Sequence, residues 1–211
     1  MIKIEKTEIC GWQPAIRGAR NPMNSWDKSD SIFWNDGSVE IGKNDLDLMT
    51  RLAKAGADHR KFMRMIVVYA DITAPLYWWK EYDTYKVGTV ANSCSTMHKI
   101  HEEEFGWNNF SYEHLKKPAL DLLQQTINLL NKYRLYFIEC ELKNVKDKKD
   151  YWWQMIQLLP SSYNQKRTVE LNYEVLRNMY HNRKDHKLTE WHTFCDWILR
   201  MPYAKELIIT N

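Results

Sequence analysis

The sequence predicts a mostly helical α/β (α+β) fold with a small mixed sheet. Several long stretches carry apolar residues at three- and four-residue spacing, which is typical of helices that bury one face. Two shorter stretches are apolar and rich in β-branched residues, and these indicate strands. No internal repeat and no linker rich in Pro, Gly or Ser divides the chain. We therefore predict one domain over residues 1–211.

The two strands are predicted in the first half of the chain. Ile2, Ile4 and Ile9 alternate approximately, with a slip near Lys6, and indicate an opening strand. The following polar stretch, up to Trp26, indicates a loop with at most one helical turn. The segment MIVVYADIT, residues Met65–Thr73, is apolar and β-branched throughout. It predicts a buried strand.

Helices are predicted on both sides of the second strand. Asn44 or Asp45 is expected to cap a helix that stops before Gly56. Pro75 opens another helix, and Pro118 opens the longest one, which keeps one face apolar over at least five turns. Further helices are predicted at residues Asp150–Leu159, at Val169–Tyr180 and after a capping Thr189.

The charge pattern favours neither nucleic acid nor membrane as a partner. Thirty basic and 27 acidic residues give a net charge of +3 and are mixed along the chain. The one basic cluster, Lys143–Lys149, is diluted by acidic and amide residues and predicts a solvated helix end or loop. No stretch of 18 apolar residues and no signal peptide is present. The protein is therefore expected in the cytoplasm.

The cysteines and histidines give no sign of a metal site. Cys10, Cys94, Cys140 and Cys195 are far apart and form no C-x-x-C pair. The seven histidines form no H-E-x-x-H or comparable helical pair. We predict free thiols, buried by default, and no bound metal.

Two segments are candidates for a ligand site. Residues Tyr82–His98 are rich in small hydroxyl and amide side chains, which suits either a backbone that wraps a polar ligand or an exposed loop. The segment NYEVLRNMYHNR repeats asparagine, a poor helix former, at Asn172 and Asn178, and ends at Arg183. These side chains either contact a ligand or form a solvated helix face. The sequence leaves both alternatives open.

In this order and separation, the two segments resemble the flavin-dependent thymidylate synthases. The resemblance begins at RLAKAGADH, where His59 falls in the place of a flavin-side histidine. It continues to Leu159-Pro160, which precedes the last helix of the family motif. Asn172, Asn178, Arg183 and Asp185 then match the family pattern N-x5-N-x4-R-x-D.

The chain departs from the family at its signature motif. R-H-R-x-x-S-x-N-E-x-S falls on seven residues, none of them identical: Thr84, Tyr85, Lys86, Thr89, Ala91, Asn92 and Cys94. Glu81 replaces a glutamine that contacts the pyrimidine in the family. Thr96 and Ile156 replace arginines that contact the substrate. Neither Thr96 nor Lys86, which replaces an arginine of the signature motif, has the fork geometry by which arginine binds phosphate.

The resemblance implies a flavoenzyme site with three groups of residues. FAD is expected to bind His59, Thr84, Tyr85, Lys86, Asn172 and Asn178. A pyrimidine nucleotide is expected to bind Glu81, Asn92, Cys94, Ser95 and Arg183. Arg183 is also the expected catalytic residue, which polarises the edge of the pyrimidine. The resemblance further implies a homotetramer, with NADPH and methylenetetrahydrofolate as co-substrates.

Two functional hypotheses remain open beside a less favoured third, nucleic-acid binding through the paired tryptophans and lysines. The first is an FAD-dependent thymidylate synthase-like methyltransferase that converts dUMP to dTMP despite its altered signature. The second is a non-catalytic or repurposed module that binds a nucleotide or a flavin on the same fold.

Overall fold

Helices make up most of the secondary structure, and one small sheet runs among them. The computed structural model describes residues 2–143 and 148–210, so residues 144–147 of the predicted basic loop lie outside the described residues. The strands form one four-stranded sheet, in the order β1-β4-β6-β5, and one antiparallel hairpin, β2-β3. The predicted mostly helical α/β (α+β) class is confirmed. None of the helices in the described ranges is both long and apolar enough to cross a membrane.

The elements follow one another in a mixed order. The strands are β1 Lys3–Cys10, β2 Ile32–Phe33, β3 Val39–Glu40, β4 Val67–Pro75, β5 Val90–Ser93 and β6 Asn164–Asn172. The helices are α1 Trp12–Arg20, α2 Lys43–Lys54, α3 Leu76–Tyr82, α4 Thr96–Lys99, α5 Lys117–Leu142, α6 Lys148–Leu158, α7 Tyr173–Arg183 and α8 Thr189–Leu199. A 3-10 segment, Arg60–Met65, precedes β4.

The chain forms two compact units. The first comprises Met1–Lys3, Thr73–Asp83 and Asn92–Arg167, and the second comprises Ile4–Ile72, Thr84–Ala91 and Thr168–Asn211. In the first unit, α5 packs on α6 over a core that includes Phe105, Leu130 and Met155. In the second unit, α7 packs on α8 and on the segment Arg60–Met65, and Trp191 and Phe194 are fully buried.

Most of the predicted elements are present close to their predicted bounds. Strands β1 and β4 and helices α5, α6 and α8 all form where the patterns indicate. The slip near Lys6 coincides with a left-handed backbone conformation, φ +50°, inside β1. Gly56 directly follows the last residues of α2 with φ +111°, as expected of a glycine after a helix end.

The stretch after Trp12 was predicted as a loop, and this is wrong. Residues Trp12–Arg20 form the nine-residue helix α1, in which Trp12, Ala15 and Ile16 are buried on one face. Pro14 lies in the first turn, where a helix tolerates proline because the N–H groups have no intrahelical acceptor there. Burial of one apolar face therefore outweighs the polar composition.

Two predicted caps are also wrong. Asn44 and Asp45 do not cap α2; instead the carboxylate of Asp30 accepts hydrogen bonds from both of their backbone N–H groups, at 2.9 and 3.0 Å. Thr189 is the first residue of α8, and Leu188 occupies the N-cap position. The side chain of Asp30, on the loop before α2, therefore caps the first turn of this helix.

The helix predicted from Val169 begins four residues later. Val169 belongs to β6, in which Gln165, Val169 and Leu171 are buried. Tyr173 continues this alternation and is also the first residue of α7, so the two-residue and helical periods overlap at one position. Helix α3 spans Leu76–Tyr82, so it ends where the polar segment from Tyr82 to His98 begins. All four cysteines are free, as predicted, but the expectation that they are buried is wrong for Cys10, Cys94 and Cys140. Only Cys195 is buried, and burial raises the pKa of its thiol to about 11.

Candidate functional site

The second unit contains a cleft of about 630 Å³ beside the N-terminal half of α7. Its walls come from α7, from the 3-10 segment Arg60–Met65 and from the loop before β5. The lining residues are Arg60, Arg64, Val87, Gly88, Asn172, Glu174, Val175, Arg177, Asn178 and His181. The structure thus brings together two predicted flavin contacts, Asn172 and Asn178, with part of the signature segment.

Asn172 connects one wall of this cleft to the other. Its side-chain Oδ1 accepts a hydrogen bond from the backbone N–H of Val175 at 2.9 Å and so caps α7. On the facing loop, Gly88 has φ +74°, and a Cβ atom there would lie 2.7 Å from Asn172 Nδ2. Glycine is therefore favoured at position 88, because other residues rarely adopt this left-handed conformation and a Cβ atom would force the asparagine side chain to shift.

The arginines that line the cleft differ in how many hydrogen-bond partners their guanidinium groups have. Arg60 Nε donates to both carboxylate oxygens of Glu174, at 3.0 and 2.9 Å. Arg177 Nη1 donates to the backbone oxygens of Leu207 and Ile208. Arg64 is exposed and makes no ion pair or hydrogen bond within the described ranges. Three guanidinium groups thus face one carboxylate, which gives the cleft a net positive charge suited to an anionic ligand.

His181 adds no positive charge to this cleft at neutral pH. Burial lowers the pKa of His181, and the nearby charges of Arg177, Lys184 and Arg60 lower it further. The backbone oxygen of Ile208, 3.0 Å from Nε2, offsets only part of this effect. The ring is therefore neutral and donates its Nε2–H to that oxygen.

Arg183 and Tyr85, both predicted site residues, are in contact within the second unit. Arg183 Nε donates to the Tyr85 hydroxyl at 2.9 Å. The guanidinium carbon lies 5.4 Å from the centroid of the Tyr85 ring and 4.9 Å from that of Trp191, so the cation stacks against both rings. Neither Arg183 nor Tyr85 lines the cleft beside α7.

The remaining predicted flavin contacts lie outside that cleft wall. Thr84 and Lys86 are exposed on the segment that leads to Gly88. His59 is exposed immediately before Arg60, at the start of the 3-10 segment. His59, Thr84 and Lys86 therefore lie next to residues that line the cleft but do not line it themselves.

The first unit contains a second, smaller cleft of about 290 Å³. Two predicted substrate contacts, Cys94 and Ser95, line it, whereas Glu81 and Asn92 do not. Its charged lining residues are Lys99, Lys166, Glu102, Glu103 and Glu104, and Lys99 is paired with Glu102. Ser95 also caps α4, because its Oγ accepts from the backbone N–H of His98 at 3.1 Å.

Sequence patterns did not reveal several residues that shape the two clefts. Gly88 and the pair Arg60 and Glu174 were missed in the second unit, and Gln165 was missed in the first. For Arg60 and Arg64 the sequence offered only their closeness in the chain as a signal, because the four-residue spacing of an α-helix face does not apply to a 3-10 segment. Gln165 had no such signal, because its side chain contacts the cleft through the backbone of Cys94, 71 residues away.

The comparisons with known proteins identify the fold. The chain matches a crystal structure of thymidylate synthase X from Helicobacter pylori with FAD and dUMP, at a TM-score of 0.67 and 15% identity, over 99% of this chain and 97% of that one. A second structure of the flavin-dependent thymidylate synthase from Helicobacter pylori, complexed with FAD and dUMP, gives 0.66 and 16%, over 98% and 97%. The chain has the fold of the flavin-dependent thymidylate synthases.

The similarity to flavin-dependent thymidylate synthases is therefore confirmed as a similarity of fold. No protein-family profile matches the sequence. No curated protein matches it either. The two clefts described above belong to a chain that has this synthase fold over almost its full length.

Proposed function

We propose that this protein is a divergent relative of the flavin-dependent thymidylate synthases that binds FAD and a pyrimidine nucleotide. The observation that carries the proposal is the positively charged cleft beside α7, with Asn172, Asn178 and Gly88 in its walls, in a chain of this fold. FAD belongs to the second-unit cleft in this proposal, and the pyrimidine belongs to the first-unit cleft lined by Cys94 and Ser95.

The second-unit cleft fits a dinucleotide in size and charge. Its volume of about 630 Å³ lies inside the usual range for ligand pockets. Within the described ranges Arg64 has a free guanidinium for a phosphate oxygen, and the exposed Asn178 lines the same cleft on the wall formed by α7. The contacts of His59, Thr84, Tyr85 and Lys86 with the flavin stay predictions. Bound FAD supplies hydride transfer, and the residues of the chain hold and orient it.

The proposed protein has either a catalytic or a non-catalytic form. In the active form, the protein methylates dUMP to dTMP, with NADPH and methylenetetrahydrofolate. The catalytic role of Arg183, which lies in the second unit and lines neither cleft, stays a prediction. In the alternative, the same fold binds nucleotide or flavin without turnover. The first-unit cleft favours the alternative in one respect: three glutamates and two lysines line it, and no arginine does. Formation of dTMP from dUMP by the flavin-loaded protein distinguishes the two.

The FAD half of the proposal is tested by the colour of the protein. We expect purified protein, or protein incubated with FAD, to show the visible absorbance of bound flavin. Arg64→Ala should weaken FAD binding by about tenfold, because it removes one charge-assisted hydrogen bond. Arg51→Ala, on the exposed surface of α2, is the matched control and should leave the affinity unchanged. Colourless protein that cannot be reconstituted with FAD refutes the proposal.

We also propose that the chain self-associates, as the predicted homotetramer requires. Apolar side chains are exposed along α5 at seven-residue spacing, on a face about 100° round the helix from its buried Leu130. They are Leu122, Leu129 and Tyr136, whereas the exposed Leu135 and Leu142 lie on a different face. An exposed apolar stripe on a 26-residue helix is typical of a protein–protein contact. The single domain over residues 1–211 and the cytoplasmic location stay predictions.

A further inference from the structure

The side-chain amide of Gln165 is held in one orientation at the first-unit cleft. Gln165 lines this cleft and is only 9% exposed. Its Nε2 donates to the backbone oxygen of Cys94 at 3.0 Å, and its Oε1 accepts from Arg167 Nε at 3.0 Å. An arginine N–H only donates and a carbonyl oxygen only accepts. Turning the amide over would therefore break both hydrogen bonds.

Arg167 is itself fixed by contacts on two sides. Its guanidinium carbon lies 4.2 Å from the ring centroid of the fully buried Trp79. Its Nη1 donates to Asp83 Oδ1 at 2.8 Å. Trp79 Nε1 in turn donates to the backbone oxygen of Gln165 at 2.9 Å. The network thus returns to Gln165, and Arg167 cannot turn away without losing a stacking contact and an ion pair.

Gln165 keeps hydrogen-bonding capacity for a ligand. A glutamine amide offers two N–H donors and two lone pairs, and the two bonds above use one of each. Within the described ranges, neither remaining group has another partner. The remaining donor and the remaining acceptor can each meet a pyrimidine, since uracil offers a carbonyl oxygen beside an N–H and cytosine offers an amino group beside a bare ring nitrogen.

A freely rotating amide can bind either pyrimidine, because it turns over to exchange donor and acceptor. A locked amide binds only one of them in a given pose. We propose that Gln165 reads the pyrimidine base in the first-unit cleft and that Arg167 is the positioning residue that makes the cleft prefer uracil to cytosine. The inference rests on the proposed function, which supplies the direction of this preference.

The test compares deoxyuridine with deoxycytidine by calorimetry on the full chain. Both nucleosides are uncharged at neutral pH, so the comparison reports the base alone. We expect the wild-type protein to bind deoxyuridine at least about tenfold more tightly than deoxycytidine, and the test measures this ratio of affinities. Arg167→Leu should reduce this ratio by about tenfold, because the orientation of the amide is then held by one bond instead of two. Gln165→Leu should lose deoxyuridine affinity as well as the preference.

Two further variants control the test. Asp83→Asn removes only the exposed carboxylate partner of Arg167, so it should lower the ratio by a smaller factor in a protein that keeps its fold. Arg200→Ala, an exposed arginine at the end of α8, should leave the ratio unchanged. An Arg167→Leu protein with the wild-type ratio overturns the inference, and so does a wild-type protein that binds both nucleosides equally or binds neither.

A measurement without ligand separates this inference from the proposed function. In the wild-type protein, the side-chain N–H protons of Gln165 should exchange slowly with solvent in nuclear magnetic resonance spectra, and in Arg167→Leu they should exchange faster. Fast exchange in the wild type shows that the amide is not locked and overturns the inference. Flavin absorbance tests the second-unit cleft independently, so a failure of one proposal is not mistaken for a failure of the other.

Discussion

Asn172 and Asn178 lie in one cleft wall but differ in what each does for the fold. Asn172 Oδ1 caps α7 through the N–H of Val175. Asn178 is exposed, and among the described residues its Oδ1 accepts only from the side chain of Asn182, one helical turn away, at 2.7 Å. Asn172 is therefore needed for stability whether or not a ligand binds, and Asn178 is the better reporter of ligand contact.

We expect Asn172→Ala to lower the free energy of unfolding by about 1 kcal/mol, the usual cost of losing an N-cap. Asn178→Ala should change it by less than about 0.5 kcal/mol, because the side chain is exposed. Urea denaturation followed by circular dichroism measures both. Equal destabilisation by the two substitutions would contradict the assignment of the cap to Asn172 alone.

At the scale of elements, one buried ion pair joins α1 to α2. Arg20 Nε donates to Asp45 Oδ1 at 2.6 Å, and both side chains are buried. Burial alone would raise the pKa of Asp45, but hydrogen bonds from Ser31, Ser29 and Arg20 outweigh it and lower the pKa. The carboxylate also accepts the backbone N–H of Asp30, so it fixes the loop between the two helices.

The lowered pKa of Asp45 predicts a stability that depends on pH. A carboxyl group whose pKa is lower in the folded state stabilises the fold above its unfolded pKa of about 4. This contribution is lost as the pH falls further, through the folded pKa. We expect the urea midpoint to decline below about pH 4. Asp45→Asn should remove this part of the decline. It should also lower the free energy of unfolding by about 3–5 kcal/mol at neutral pH, because it leaves Arg20 buried without its charged partner.

Asp47→Asn is the matched control on the same helix. Asp47 pairs with Arg51, and both side chains are mostly exposed. The substitution should change the free energy of unfolding by less than about 1 kcal/mol, since exposed ion pairs contribute little. A similar loss in both variants would show that the position of Asp45 is not special.

At the scale of the whole molecule, the exposed stripe on α5 predicts self-association. Leu122 is 64% exposed and Leu129 is 38% exposed, whereas Leu123 and Leu130, about 100° further round the helix, are buried. A second copy of the chain that covers this stripe removes apolar surface from water. This apolar face is therefore the part of the first unit that we assign to contact between subunits.

We expect the wild-type protein to sediment as an oligomer and the double variant Leu122→Glu, Leu129→Glu to sediment as a smaller species. Two added charges on an apolar contact face oppose its burial. The control is Gln154→Glu with Gln157→Glu, which adds the same charge to exposed positions of α6. A wild-type protein that is monomeric at all concentrations would refute the self-association.

The sequence by itself determined the elements whose signal is local. The apolar face of α5, the β-branched run of β4 and the stop at Gly56 each depend on residues that are neighbours in the chain. The resemblance to the flavin-dependent thymidylate synthases added the fold, and it named Asn172 and Asn178, which line one cleft, and Cys94 and Ser95, which line the other. Local periodicity is sufficient for these features because it decides which face of an element is buried.

Only the tertiary structure decided how individual polar side chains are used. Asp30 caps α2 from 15 residues away, Asp45 pairs with Arg20 at a separation of 25, and Arg167 meets Asp83 across 84 residues. The strand at Val169 was also a tertiary outcome, because a strand needs a partner that its own sequence does not specify. Hydrogen-bond partners distant in sequence leave no periodic pattern, and this is the physical reason that the contacts of Gln165 with Cys94 and of Arg167 with Asp83 emerged only from the folded chain.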